Sequence, residues 1–158
     1  MKKMVLRLCL LSLTAGWMLL IFGFSAQSGE ESGGLSAIIA EPLTRLLVWM
    51  SDSLNSQQWD ALYQWVDGAV RGAAHFGEYA ILGGLLMLMF HSIGVQSVWL
   101  PWICGTFYAL TDEWHQSFSP GRVCDLMDVL IDASGVLAGV LICNIIIQRW
   151  RKKNVHNS

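Results

Sequence analysis

Within the stretch "DEWHQSFSPGRVCDLMD", Asp112 to Asp128, lie four carboxylates (Asp112, Glu113, Asp125 and Asp128), the imidazole of His115 and the guanidinium of Arg122. Carboxylates beside an imidazole can move protons or bind a divalent cation, and a guanidinium can hold a phosphate or carboxylate of a ligand. Apolar runs flank the stretch on both sides. An ionised side chain at the centre of a membrane helix costs roughly 2.5 to 3.5 kcal/mol on insertion scales, so charges in such company must be partnered or used.

Helical spacing sorts the charged residues into stripes. Arg71, His75, Glu78, Tyr79 and Leu82 follow one another at three or four positions and share one helix face. Asp125, Asp128 and Asp132 fall at i, i+3 and i+7, and Asp112, His115 and Gln116 at i, i+3 and i+4. The three stripes predict one polar pocket. Glu78 and Asp132 lie about a turn or more inside their apolar segments and are expected to face each other, Arg71, Arg122 or water.

In that pocket His75 and His115 are candidates to exchange protons or to ligate a metal, with Asp112, Glu113 and Asp128 orienting them and Arg71 and Arg122 anchoring an anionic head. The order H-x-x-E at 75 to 78 departs from the zinc signature H-E-x-x-H, and there is no G-x-S-x-G elbow or P-loop. Neither a reaction nor a cofactor is therefore specified, and the metal stays unknown. Cys124 could supply a thiolate, though one loop cysteine is a weak signal. Cys9, Cys104 and Cys143 sit in apolar runs and read as packing residues. A different reading of the charges is a structural network of ion pairs that holds helices in register. Buried ion pairs are a poor source of stability, which favours a site.

The elements that must position these groups are membrane helices. The chain has 158 residues, 54% hydrophobic and 14% charged, where about 25% charged is usual for a soluble domain. Mean hydropathy is +0.46. The net charge of −2 offers no basic field, so nucleic acid is not an expected partner. Four spans are expected, at about 8–24, 73–90, 98–111 and 129–147, within one domain covering 1–158. The first run could instead be a cleaved signal peptide, but it is long for one. "SAQSGEESGGLS", 25–36, reads as a turn region without packing capacity. Two amphipathic segments, 35–50 and 57–74, are expected to lie along the membrane surface with Trp49, Trp59 and Trp65 in the interfacial zone; a soluble two-helix cap is the alternative. Leu43, Leu46, Leu47 and Met50 mark the apolar face of the first, and Leu62, Trp65, Val66 and Ala69 that of the second.

Lys2, Lys3 and Arg7 flank one end of the chain and Arg149, Arg151, Lys152 and Lys153 the other, so both termini are expected in the cytoplasm. The pocket then faces outward. Gly135 and Gly139 form a G-x-x-x-G step, read as internal packing rather than a dimer face, although an oligomer is compatible with it.

Three stretches, "FSAQSGEESGGLS", "VRGAAHFGEYAILGGLL" and "TDEWHQSFSPGRVCDLMDVLIDASGVLAG", resemble the VanZ-like membrane proteins. The last is the most specific. Carried across by position, the resemblance marks Ser25, Gln27, Arg71, His75, Tyr79, Asp112, Glu113, His115, Gln116, Pro120, Arg122, Asp128 and Gly135. Ser25, Gln27, Tyr79 and Gln116 thereby join the two arginines as candidate ligand-binding residues. Arg71 stands where many members have lysine, and Asp132 where asparagine is also frequent. The family takes its name from an accessory protein of teicoplanin resistance, and many members lie outside resistance clusters. The expectation is an all-α, four-span protein of the cell membrane whose outward pocket binds or acts on a lipid, a cell-envelope intermediate or a lipoglycopeptide. A non-catalytic interaction protein is the competing reading, and a small transporter a third.

Overall fold

The computed structural model of the chain describes residues 1–49 and 54–156, with side chains as far as residue 154. Five helices make up its regular structure: α1 (Lys2–Ser25), α2 (Gly29–Trp49), α3 (Ser56–Ser92), α4 (Trp99–Gln116) and α5 (Leu126–His156). No strand is present among the described residues.

Local signals explain where the helices start. Ser28 and Glu31 form a reciprocal cap: the Ser28 N–H donates to Glu31 Oε2 at 2.9 Å and the Glu31 N–H to Ser28 Oγ at 3.2 Å. Those hydrogen bonds, from the Ser28 backbone first and its hydroxyl second, hold the Glu31 carboxyl below its ordinary range. Helix α2 thus begins inside the Gly/Ser/Glu-rich stretch expected to be a turn. Asn55 and Gln58 repeat the device for α3, at 2.9 and 3.0 Å. The Met127 N–H donates to Asp125 Oδ1 at 2.8 Å at the start of α5.

The expected surface helix 57–74 and the span 73–90 are one continuous helix, α3. No proline interrupts 56–92, and its glycines are tolerated in a helix that packs on others. At 1.5 Å per residue, these 37 residues reach about 55 Å, well beyond the roughly 30 Å of a hydrocarbon core. The N-terminal half of α3 pairs with α2 as a helical hairpin, Arg45 of α2 reaching over the ring of Trp59. Only α2 remains as a separate amphipathic helix. Its buried stripe is Ser36, Ala40 and Thr44 at i, i+4 and i+8, whereas Leu43, Leu46 and Leu47 are exposed. Small residues let the backbones approach, so the leucines turn outward; Met50 lies outside the described residues.

The C-terminal half of α3 packs with α1, α4 and α5. Helices α3 and α5 are in the closest contact: a Cβ added at Gly83, Gly135 or Gly139 would strike the backbone of the facing helix. The G-x-x-x-G step is consumed in this internal contact. Side chains also hydrogen-bond to backbone carbonyls between helices, Trp17 Nε1 to Glu78 O at 2.9 Å, Tyr108 Oη to Met18 O at 2.6 Å and Trp102 Nε1 to Ala133 O at 3.1 Å.

The exterior is apolar and the interior holds charge. Leu19, Phe107 and Ile146 lie open on three different helices, whereas Asp112, Glu113, Gln116 and Asp132 are buried. That inversion suits lipid as the solvent. Three helices, α1, α3 and α5, are long and apolar enough to cross a membrane. The expected fourth, α4, is not among them, because its last turns carry Asp112, Glu113, His115 and Gln116.

Both termini lie at one end of the bundle. Arg7 Nε donates to the Ser92 carbonyl at 3.0 Å, and Arg151 Nη2 lies 3.3 Å from His91 Nε2. The N-terminus of α1, the C-terminus of α3 and the C-terminus of α5 therefore meet there. Seven of the chain's ten lysines and arginines (Lys2, Lys3, Arg7, Arg149, Arg151, Lys152, Lys153) cluster at that end.

Candidate functional site

The polar groups assemble at the opposite end of the bundle. From Ser92 back to His75 is 17 residues of α3, and from Asp132 to Arg151 is 19 of α5, which is about 25–28 Å of helix in each case. The site thus lies near one face of a layer as thick as a bilayer core.

At its centre His75 of α3 meets Asp132 of α5, Nδ1 to Oδ1 at 3.5 Å. The Asp132 side chain is almost wholly enclosed and that of His75 is partly open. One helical turn further along α3, the buried Tyr79 donates from Oη to Asp112 Oδ2 of α4 at 3.0 Å. Neighbouring turns of α3 therefore reach different helices. Arg71, His75 and Tyr79 of the α3 stripe each meet a different carboxylate, Asp67, Asp132 and Asp112.

Arg122 arrives from the loop between α4 and α5. The Arg122 N–H donates to the Ser119 carbonyl at 3.2 Å across Pro120-Gly121, and Gly121 has φ +75°, a conformation that favours glycine. The Gly29 N–H donates to the Pro120 carbonyl at 3.0 Å, and Ser119 Oγ to Ala26 O at 3.3 Å, so the start of α2 anchors this turn. Arg122 Nη1 then donates to Gln116 Oε1 at 3.1 Å. Arg71 Nε lies 3.3 Å from Asp67 Oδ2 one turn earlier on α3, and Asp67 also accepts a hydrogen bond from Ser36 Oγ of α2.

These residues surround a cavity of about 230 Å³ between the hairpin and the bundle. Its lining is mixed: Ser25, Gln27, Arg71, His75, Glu78, Asp112, Gln116 and Arg122 are polar. Ile21 and Phe24 of α1, Leu35 and Ile39 of α2 and Val70 of α3 supply apolar surface. His75 Nδ1 is buried beside Asp132, and the residue lines the cavity. The Ser25 hydroxyl lies beside the Asp112 carboxylate, whereas two buried donors of the lining, Gln116 Nε2 and Arg122 Nε, have no hydrogen-bond partner in the protein. Buried polar atoms ordinarily find partners, so these donors mark where the lining is not satisfied from within the chain.

The remaining predicted residues stand elsewhere. His115 stacks on Phe22 with ring centroids 4.0 Å apart and lines a second, mostly apolar cleft with Tyr108, Trp114 and Phe118, which Asp112 borders as well. Residues i+3 and i+4 of a helix differ by about 100° in direction, and that angle takes His115 away from Gln116. Glu113 faces the beginning of α5, where its Oε1 accepts the Asp125 N–H at 2.7 Å. Asp128 is half-buried and lines no cavity described here, and Cys124 is exposed in the loop. Among the described residues no three His, Cys, Asp or Glu side chains are placed to hold a metal ion.

Sequence reasoning left out the α2 wall. Ser32, Leu35, Ser36 and Ile39 line the cavity, and Ser32 is helical because α2 starts six residues earlier than the apolar pattern suggests. The S-x-x-E of Ser28 to Glu31 was the available signal.

The sequence model of the VanZ/LLP1 family matches residues 10–147, a range that includes every element of the cavity. The chain belongs to the VanZ/LLP1 family. No curated protein and no solved structure matches it. With three apolar helices, this VanZ/LLP1 chain is a multi-pass membrane protein. The match begins two positions into the first apolar run and ends within the last, so the hairpin belongs to the family's body.

Proposed function

We propose that the cavity binds, on the outer face of the cell membrane, an amphiphile of the cell envelope with a polar, phosphate- or carboxylate-bearing head. One observation carries this reading: a single cavity is lined both by two guanidiniums and a histidine and by the apolar side chains of Ile21, Phe24, Leu35, Ile39 and Val70. A head group needs the first surface and its chain the second. Arg71 and Arg122 anchor the head, Gln116, Ser25 and Gln27 complete its hydrogen bonding, and His75, braced by Asp132, is the group able to move a proton. The link of VanZ-type proteins to teicoplanin resistance fits an amphiphile, since teicoplanin is a lipoglycopeptide.

In this proposal α4 is a fourth span. Its buried stripe, Pro101, Gly105, Ala109 and Asp112, faces the bundle, while Trp99, Ile103, Phe107 and Leu110 face outward. Four spans return both termini to one side, and the cluster of seven basic residues there supports the cytoplasm as that side.

Native mass spectrometry of the protein purified in mild detergent tests the reading. The wild type is expected to carry a bound lipid, and Arg122→Ala and His75→Ala to lose most of it while keeping their helix content. Equal lipid retention by all three proteins refutes the cavity as the site. A second reading, a purely structural network, draws on Tyr79–Asp112, Glu113–Asp125 and His75–Asp132, which link α3, α4 and α5. It predicts variants that unfold more readily yet carry as much lipid as the wild type when folded.

A further inference from the structure

The polar groups around the cavity are of two opposite kinds. Gln116 and Arg122 bring N–H donors, whereas Asp112 and Glu78 bring carboxylates. Asp112 and Gln116 are each only 2% exposed, so bulk water reaches neither freely. A phosphate alone would satisfy the donors and leave the carboxylate unmet, or repel it. A cation alone would do the reverse. Charge is mixed in the same way: Arg71 and Arg122 stand with Glu78 and Asp112 around one cavity.

The charges are also separated in space. Arg71 lies at the exposed end of the α3 stripe, and Arg122 reaches in from the Pro120-Gly121 turn. Glu78 lies two turns further along α3, about 10 Å of helix from Arg71, and its backbone carbonyl is tied to Trp17 within the bundle. Asp112 is held through Oδ2 by Tyr79, the residue after Glu78, and lies beside the Ser25 hydroxyl. Guanidiniums and carboxylates therefore both border the cavity, Arg71 and Glu78 at different heights along α3, with the apolar side chains of α1 and α2 alongside.

We propose that the ligand is a zwitterionic aminophospholipid, its phosphate held by Arg122 and Arg71 and its primary ammonium by Asp112 and Glu78. A primary ammonium carries three donors and can meet both carboxylates, which a quaternary ammonium cannot do. The cavity, at about 230 Å³, accommodates a head of phosphoethanolamine size and leaves the acyl chains to the Leu35 and Ile39 side. The proposal rests on the cavity being an amphiphile site and adds the amine to it.

The test is competitive lipid retention by the full-length protein in nanodiscs, read by native mass spectrometry. The probes are phosphatidylethanolamine, phosphatidylglycerol and phosphatidylcholine with identical acyl chains. The wild type is expected to retain the ethanolamine lipid about tenfold over the other two, the size of one charge-assisted hydrogen bond. Glu78→Gln is expected to erase that preference while total lipid retention persists, and Arg122→Ala to lower retention of all three lipids. Asp112→Asn should match Glu78→Gln; if it does not fold, Glu78→Gln and the wild-type lipid comparison decide. Lipid bound with no preference for the primary amine overturns this inference and leaves the amphiphile site standing, whereas no lipid bound by any form overturns both. Retention of soluble phosphoethanolamine as tight as that of the lipid overturns the assignment to a lipid.

Discussion

Gly135→Ala is expected to destabilise the bundle by up to about 2 kcal/mol and to weaken the site along with it. A Cβ at Gly135 would fall 3.2 Å from both the carbonyl carbon and the Cα of Phe76, with the carbonyl oxygen nearer still. The obstacle is helix backbone, which cannot rotate aside as a side chain can, so α3 and α5 must separate. Overpacking of this kind typically costs about 1–3 kcal/mol. The better helix propensity of alanine returns about 1 kcal/mol, leaving the net loss stated. Gly16 on α1 is the control, with nothing within 4 Å of an added Cβ. Gly16→Ala is expected to stabilise by roughly 0.5–1 kcal/mol, so the two substitutions have opposite signs. The site follows because Phe76 adjoins His75 and Gly135 lies three residues after Asp132; parting the helices there widens a pair already 3.5 Å apart. Titration of the purified protein from mild detergent into dodecyl sulfate, followed by the fluorescence of its eight tryptophans, measures the stabilities. Equal midpoints for Gly135→Ala and Gly16→Ala would refute the close packing, and with it the argument that helix contact sets the His75–Asp132 geometry.

Glu113 separates a structural role from a proton-carrying one. Glu113→Ala leaves the Asp125 N–H without its acceptor and is expected to cost about 1–3 kcal/mol in the same titration, whereas Glu113→Gln keeps a carbonyl acceptor and should lose less and retain lipid normally. Loss of function in the Gln variant at unchanged stability would return Glu113 to the chemistry. The topology is tested by membrane-impermeant thiol labelling of intact cells after replacement of the native cysteines. Single cysteines in place of Lys3 and Lys153 are expected to stay unlabelled and one in place of Ser119 to react, while labelling of only one terminus would mean an odd number of spans.

How much of the site is legible in the sequence depends on the kind of residue. Arg71, His75, Glu78 and Tyr79 are readable because ionisable groups at helical spacing in an apolar segment have few places to go but inward. His115 shows where periodicity stops being informative. It shares a coarse stripe with Asp112 and Gln116, yet the angle between i+3 and i+4 sends it onto Phe22 in another cleft. Glu113 and Gln116 are both buried neighbours on α4, and only the position of the α5 start distinguishes the clamp from the cavity wall. The membrane helices are legible from composition, whereas the join between 57–74 and 73–90 is not. Continuity of α3 depends on a hairpin partner, α2, whose leucines point outward rather than into the contact.

Helix content, apolar exterior and the clustering of basic residues at the two termini follow from the order of residues alone, because each is a property of a segment and its solvent. The cavity is of another kind. It exists because glycines at 83, 135 and 139 bring α3 and α5 into backbone contact, so that His75 reaches Asp132, and because α2 folds back along α3 to supply apolar surface. Which carboxylate meets which partner, and which buried donors and acceptors are left unmet, is decided by distances between segments far apart in the chain, and these only tertiary packing sets.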